Sequence, residues 1–148
     1  MAWLNDIYEK TGTIIPFPII ADRNAEIARK YGMIATDVSN TETVRNVFII
    51  DDKGIIRAIF IYPMNIGRSV PEIIRTLEAL QTADNCKVGT PLNWTPGIPL
   101  IKFAPKTFEE LQQQKQKIME KRNGMSWYLS FKDASECEKN TKNKNLKE

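Results

Sequence analysis

A chain of 148 residues with 42% hydrophobic content can support one ordinary domain, or one and a fraction. Its net charge of +3 is small and its lysines are scattered, which gives no electrostatic case for nucleic acid, and no apolar run approaches the ~20 residues a membrane span requires. Histidine, the commonest general base and metal ligand, is absent, and the two cysteines lack CxxC spacing, which argues against a structural zinc site and a thioredoxin-type reductase.

Taken in order, Trp3, Leu4, Ile7 and Tyr8 recur at helical spacing, and Thr11-Gly12 stops the run. The first residues carry neither a basic region nor a signal-peptide core, so a cytoplasmic location is expected. Ile14 to Ile20 reads as a strand interrupted by Pro16 and Pro18, peripheral because proline removes ladder donors. Asn24 to Tyr31 reads as a short helix with Ile27, Ala28 and Tyr31 inward, ended by Gly32. A polar loop over 35–43 then delivers the chain to Arg45.

The centre of the chain is a hairpin signal: Val47–Ile50 and Ile55–Tyr62, joined by Asp51-Asp52-Lys53-Gly54. Neither run alternates between apolar and polar, so both faces are expected to be covered, as in a central sheet with helices on each side. Arg57 reads as an edge or solvent-directed position. Ser69-x-x-Glu72 has the form of a capping box, with Pro71 tolerated in the first turn, opening a helix whose stripe is Ile73, Ile74, Leu77 and Leu80. Residues 83–97, with Gly89, Pro91, Pro96 and Gly97, read as a linker, and Ile98–Phe103 as a short strand broken by Pro99. Thr107-x-x-Glu110 is a second capping box, opening a helix to about Lys121 that is anchored by Phe108, Leu111, Ile118 and Met119. Met125–Phe131 reads as a last aromatic strand, and the polar tail from Lys132 buries too little apolar area to offset its ordering entropy.

The stretch Val44-Arg45-Asn46-Val47-Phe48-Ile49-Ile50-Asp51, then Gly54-Ile55-Ile56-Arg57 and Tyr62-Pro63-Met64-Asn65-Ile66-Gly67-Arg68, strongly resembles the peroxiredoxins, in particular the one-cysteine subfamily with its extended C-terminal domain. Phe17-Pro18-Ile19-Ile20-Ala21-Asp22, Ala28-Arg29-Lys30-Tyr31-Gly32-Met33 and Thr90-Pro91-Leu92-Asn93-Trp94 match as well, in the expected order. The ordered combination is specific where no single motif is. It covers nearly the whole chain to about Lys132. The resemblance implies an α/β protein with a partial thioredoxin-like fold, a central sheet with flanking helices, plus a C-terminal dimerisation extension. Residues 1–82 would be the C-terminal portion of the thioredoxin-like domain, 83–132 the extension and 133–148 a disordered polar tail. The family's Pro-x-x-x-Thr/Ser-x-x-Cys motif, which carries the peroxide-reactive cysteine, does not occur in these residues and would lie upstream of Met1.

What the resemblance implies for chemistry is a thiol peroxidase without cofactor or metal. Its cysteine thiolate attacks a peroxide oxygen and becomes a sulfenic acid. A nearby cation lowers the thiol pKa and stabilises charge on the leaving oxygen, a task that suits arginine. Arg45 matches the family's active-site arginine and Arg68 the second arginine of its pocket, whereas structural ion pairs are what strand-end arginines form in general. Hydroperoxides and a thiol reductant are the implied partners, with a homodimer or ring of dimers, and neither nucleic acid nor membrane.

Neither cysteine has the surroundings of a nucleophile. Cys86 sits beside Lys87 without a helix N-terminus, and Cys137 lies between Glu136 and Glu138, which raise a thiol pKa. Both read as accessible thiols. Some archaeal-type relatives place resolving cysteines just after the aromatic segment, which makes Cys137 a candidate in that role by resemblance. Two readings follow: part of a one-cysteine-type peroxiredoxin whose nucleophile lies outside these residues, inactive as it stands, or a stand-alone, non-catalytic assembly module. Trp127 and Tyr128 are expected in an interface or core.

Overall fold

The computed structural model describes residues 2–34, 43–121 and 124–137. They divide into two compact units, Met1–Asn46 with Ile61–Asn65, and Val47–Phe60 with Ile66–Glu148. Strands β1 (Arg45–Ile50) and β2 (Ile56–Tyr62) form a two-stranded sheet, most of whose residues belong to the second unit.

In the first unit, α1 (Ala2–Thr11) forms as its spacing predicts and ends at Gly12, which takes φ +68° and donates its N–H to Tyr8 O at 2.8 Å. No residue of α1 is buried, and Trp3 and Tyr8 stay exposed. The strand expected at Ile14–Ile20 does not form. Pro16 and Pro18 leave that segment too few donors to hold a ladder. The short helix α2 is Glu26–Lys30, with Ala25 at its N-cap, and the Asp22 carboxylate accepts the N–H of Ile27 at 3.1 Å and of Ala28 at 2.8 Å. Of the three residues expected inward, Ala28 is buried while Ile27 and Tyr31 are exposed. A bridge pairs Ile34 with Thr43, and most of the loop expected at 35–43 lies outside the described residues.

The second unit begins with the hairpin turn. The Asp51 carboxylate accepts the N–H of Lys53 at 3.0 Å and of Ile55 at 2.9 Å, while Gly54 takes φ +77°. An Asx-type turn of this kind is the local reason the hairpin closes here. Two-sided cover was expected for both strands. Instead Ile50, Ile56, Ile59 and Ile61 are exposed, so the continuous apolar pattern is not matched by covering layers among the described residues.

α3 runs over Val70–Cys86, four residues into the expected linker. Ser69 is its N-cap but makes no capping hydrogen bond. The capping box does not form, because Glu72 turns to Arg75, which donates Nε to Oε2 at 2.6 Å and Nη2 to Oε1 at 2.7 Å. Beyond α3 the supposed linker contributes to the core: its Val88 and Trp94 are buried with Leu100 of the strand that follows, Ala79 of α3 and Cys137. Gly89 and Ile101 exchange two backbone hydrogen bonds of 2.8 Å, which bring this segment back along β3 (Leu100–Ile101).

β3 joins a three-stranded sheet of order β3-β5-β4, with Leu100 opposite Lys132 and Ile101 opposite Phe131. The single aromatic strand expected at Met125–Phe131 is instead a hairpin of β4 (Gly124–Ser126) and β5 (Leu129–Lys132), with Trp127 and Tyr128 at its turn. α4 is Phe108–Lys121 and its capping box forms: Glu110 N–H donates to Thr107 Oγ1 at 3.2 Å, and Glu110 Oε2 accepts from Thr107 N–H at 3.4 Å, as well as from Lys106 N–H at 2.8 Å. Gln114 of α4 donates to Trp127 O and to the buried Ser130 Oγ, both at 2.8 Å. That satisfies the one buried polar side chain of the sheet.

Candidate functional site

Two places in the molecule collect chemistry. The first is the strand end at Arg45. Arg45 opens β1 in the first unit and is exposed, and beside it in sequence the Oδ1 of Asn46 is buried with no hydrogen-bond partner among the described residues. Arg68 belongs to the second unit, in the exposed segment just before α3. The buried Asn46 acceptor was not singled out from sequence. Burial of one polar atom depends on the surrounding surface, which no local motif reveals.

The second place is the C-terminal end of α3. Cys86, its last residue, is disulfide-bonded to Cys137, with Cα atoms 5.6 Å apart. Two accessible thiols were expected, and this bond corrects that reading. Cys137 sits in a helical turn over residues 134–137 and is only 6% exposed. The polar tail expected to be disordered from Lys132 therefore starts as ordered structure through Cys137, because a buried sulfur and a covalent tie offset the cost of ordering a polar turn. Both cysteines are among the residues lining an open cleft of about 360 Å³ whose other walls include Glu78, Asn85, Trp94 and Leu100.

Electrostatics in the second unit centre on Arg57. It was expected at an edge or solvent-directed position; β2 is an edge of its two-stranded sheet, and there the Arg57 Nη1 and Nη2 donate to the two carboxylate oxygens of Asp84 at 2.6 and 2.9 Å, while Nη1 also reaches Asp51 at 3.4 Å. The Asp84 hydrogen bond and charge push the guanidinium pKa further up, and the Arg57 hydrogen bond holds Asp84 below the ordinary carboxylate range. Asp51 is lowered first by the N–H of Ile55. Glu72 is lowered by its hydrogen bond to Arg75, which also donates Nη1 to Trp94 O at 3.1 Å. The Arg57 pair ties β2 to α3, and Arg75 ties α3 to the Trp94 loop. Among the described residues no cluster of potential metal ligands occurs, and no helix is long and apolar enough to cross a membrane.

With helices set against small sheets, the described residues match solved structures of the thioredoxin-like class. A yeast mitochondrial 1-Cys peroxiredoxin aligns with a TM-score of 0.71 at 32% identity, over 89% of this chain and 63% of that one. Peroxiredoxin 6 of Arenicola marina, solved as a cysteine-to-serine mutant, aligns with a TM-score of 0.64 at 34% identity, over 76% of this chain and 54% of that one. The model of the AhpC/TSA family matches residues 2–59. Peroxiredoxin 2 of Caldanaerobacter subterraneus subsp. tengcongensis is 50% identical over 132 residues, 89% of this chain and 59% of its own length. The peroxiredoxin of Aquifex aeolicus is 44% identical over 142 residues, 89% of this chain and 63% of its own length. Over most of its length the chain is thus similar to peroxiredoxins. It spans less than two thirds of the length of these relatives.

Proposed function

We propose that this chain takes part in reducing hydrogen peroxide and alkyl hydroperoxides by peroxiredoxin chemistry, with the peroxidatic cysteine supplied from outside these 148 residues. The observation that carries the reading is the 50% identity to a peroxiredoxin over 132 residues, combined with both cysteines of the chain being spent in one disulfide. A disulfide sulfur has no thiolate with which to attack a peroxide. Arg45 and Arg68 are the cations proposed to lower the thiol pKa and to stabilise the departing oxygen. The unpartnered Asn46 acceptor beside Arg45 in sequence supports a polar ligand at that strand end. No cofactor or metal enters this reaction. A thiol reductant returns the sulfenic acid to thiol, and the cytoplasm, where such reductants are maintained, is the proposed compartment.

The test is peroxide consumption by the 148-residue chain with a thiol reductant, beside Cys86→Ser and Cys137→Ser. All three are expected to turn over no faster than a free thiol. Cysteine-dependent turnover well above that level would show that the nucleophile is within the chain. In a longer protein carrying the family's cysteine motif, Arg45→Ala should lower kcat/KM by roughly 100-fold, the scale of one lost transition-state donor.

The same residues carry a proposal for assembly as a homodimer, or a ring of dimers. Trp127 and Tyr128, packed edge to face with centroids 5.5 Å apart, are 43% and 61% exposed at the β4–β5 turn. Aromatic residues presented this way anchor interfaces. Replacing both by Ala in that longer protein should weaken self-association in sedimentation across a concentration series, and an unchanged dimer affinity would refute this role. The other reading, a stand-alone assembly module, differs in needing no cysteine at all, so restored turnover on supplying the cysteine motif decides between them.

A further inference from the structure

We propose that the open cleft bordered by the end of α3, the segment after β3 and the side of α4 binds a phosphate monoester with an aromatic body, its phosphate held by Lys87, Lys102 and Lys117. Such binding does not depend on the function proposed above. All of the lining residues lie in the second unit, and the volume of about 440 Å³ is that of a small-molecule site. The first support is charge. Three lysines and a single carboxylate, Glu110, line the cleft, and one oxygen of that carboxylate is already taken by the N–H groups of Lys106 and Thr107. Among the described residues none of the three lysines forms an ion pair. They come from the C-cap of α3, the residue after β3 and the second half of α4, so no helical spacing gathers them. Cations converging on one concavity without counter-charges make a positive potential that an anion relieves.

The second support is how the lining is fixed. Lys102 N–H donates to Ser130 O at 2.9 Å, which ties that lysine's backbone to β5. Lys87 ends α3 at φ 52°, a conformation glycine adopts more easily, so a cation stands there at some backbone cost. Ser130 also lines the cleft and is 1% exposed. Its Oγ accepts from Gln114 Nε2 at 2.8 Å, and no described hydrogen bond uses the hydroxyl proton, which leaves a buried donor for a ligand oxygen. The third support is the neighbouring apolar wall, which includes the half-buried Ile118 and the ring of Phe103, 64% exposed. Lysine binds phosphate as a point charge, and a phosphate monoester carries about two negative charges at pH 7, which suits three lysines better than a single carboxylate would. An exposed ring beside the cations offers a stacking face to a flat aromatic body. Nucleoside monophosphates combine both features.

The probe is adenosine monophosphate, titrated at low salt into the 148-residue chain and followed by amide chemical shifts in NMR. A Kd below about 1 mM is expected, with the shifts centred on Lys87, Lys102, Gln114 and Ser130. Weaker binding, or shifts centred elsewhere, overturns the proposal without any substitution. Lys102→Ala combined with Lys117→Ala should weaken binding by about tenfold, the scale of two lost charge-assisted contacts at an open site. Lys115→Ala combined with Lys132→Ala removes the same charge outside the cleft and should leave the affinity unchanged. An equal loss in both pairs would reduce the effect to overall charge and refute the site. Inorganic phosphate and adenosine, each carrying half of the ligand, should both bind at least about tenfold more weakly than the monophosphate. Inorganic phosphate binding as tightly would show that Phe103 seats no aromatic body, and adenosine binding as tightly that the lysines hold no phosphate; either result overturns the assignment.

Discussion

The two compact units contain similar kinds of apolar residue and use them differently. In the first, Trp3, Ile14, Phe17 and Ile20 are each more than 60% exposed, and Ala28 is the single buried apolar residue among those described. In the second, Trp94 is 2% and Leu100 0% exposed, around a small core that also holds the disulfide. The periodicity of α1 is as good a helix signal as that of α3. What differs is that the second unit brings a Pro/Gly-punctuated segment, a sheet and a cross-link to one place. An apolar stripe is a demand for a partner surface, and among the described residues the second unit answers it in part: Ala79 of α3 is buried, while Ile74 and Leu77 of the expected stripe stay exposed.

That contrast can be tested by substitution. The largest effect is expected for Trp94→Ala, which removes a buried indole and the hydrogen bond from its Nε1 to Ile98 O at 3.0 Å. Loss of packing should cost roughly 3–5 kcal/mol in urea unfolding, and a cost below about 1 kcal/mol would mean that the core of the second unit is not where its stability lies. Slightly smaller is loss of the disulfide, which closes a loop spanning a sequence separation of 51. Restricting the unfolded chain by that loop contributes about 4 kcal/mol, so reduction should lower the urea midpoint with little change in peptides of the first unit, followed by hydrogen exchange.

Acid should act on the second unit through its carboxylates. Asp84, Asp51 and Glu72 are all held below their ordinary range, by Arg57, by the Ile55 N–H and by Arg75 in turn. A carboxylate with a depressed pKa in the folded state adds stability that is fully present above its unfolded pKa. That stability is lost as pH falls through the folded value, so the window lies below the ordinary carboxylate range. Asp84→Asn should therefore flatten the fall in melting temperature below about pH 4. Because Asp84 is half exposed, the effect should be modest and shrink further in high salt. An unchanged acid limb would show that the Arg57 pair is energetically silent. The smallest effect is reserved for Trp3→Ala. The same residue type that anchors the second unit is 64% exposed on α1, so its removal should alter stability by no more than about 0.5 kcal/mol in the isolated chain. A cost comparable to that of Trp94→Ala would erase the distinction between the units.

Local chemistry was legible in the sequence. The 148 residues by themselves determined α1, α4 with its Thr107–Glu110 box, the hairpin turned at Asp51–Gly54, and the ordered motifs that mark a peroxiredoxin. Each depends on residues within a few positions of one another, where backbone geometry and side-chain reach are set by spacing alone. The tertiary structure decided what depends on distant parts of the chain. Glu72 left its capping role because Arg75 competes for the same oxygens, and Arg57 found Asp84 across 27 residues. A stretch with the composition of a linker became core because Val88 and Trp94 met Ala79 and Leu100, and Cys86 met Cys137 across 51 residues. Composition weighs a polar tail by its own residues, whereas a disulfide joins it to a core those residues do not contain. Which cysteines become neighbours is a property of the folded path of the chain, and spacing carries no record of it.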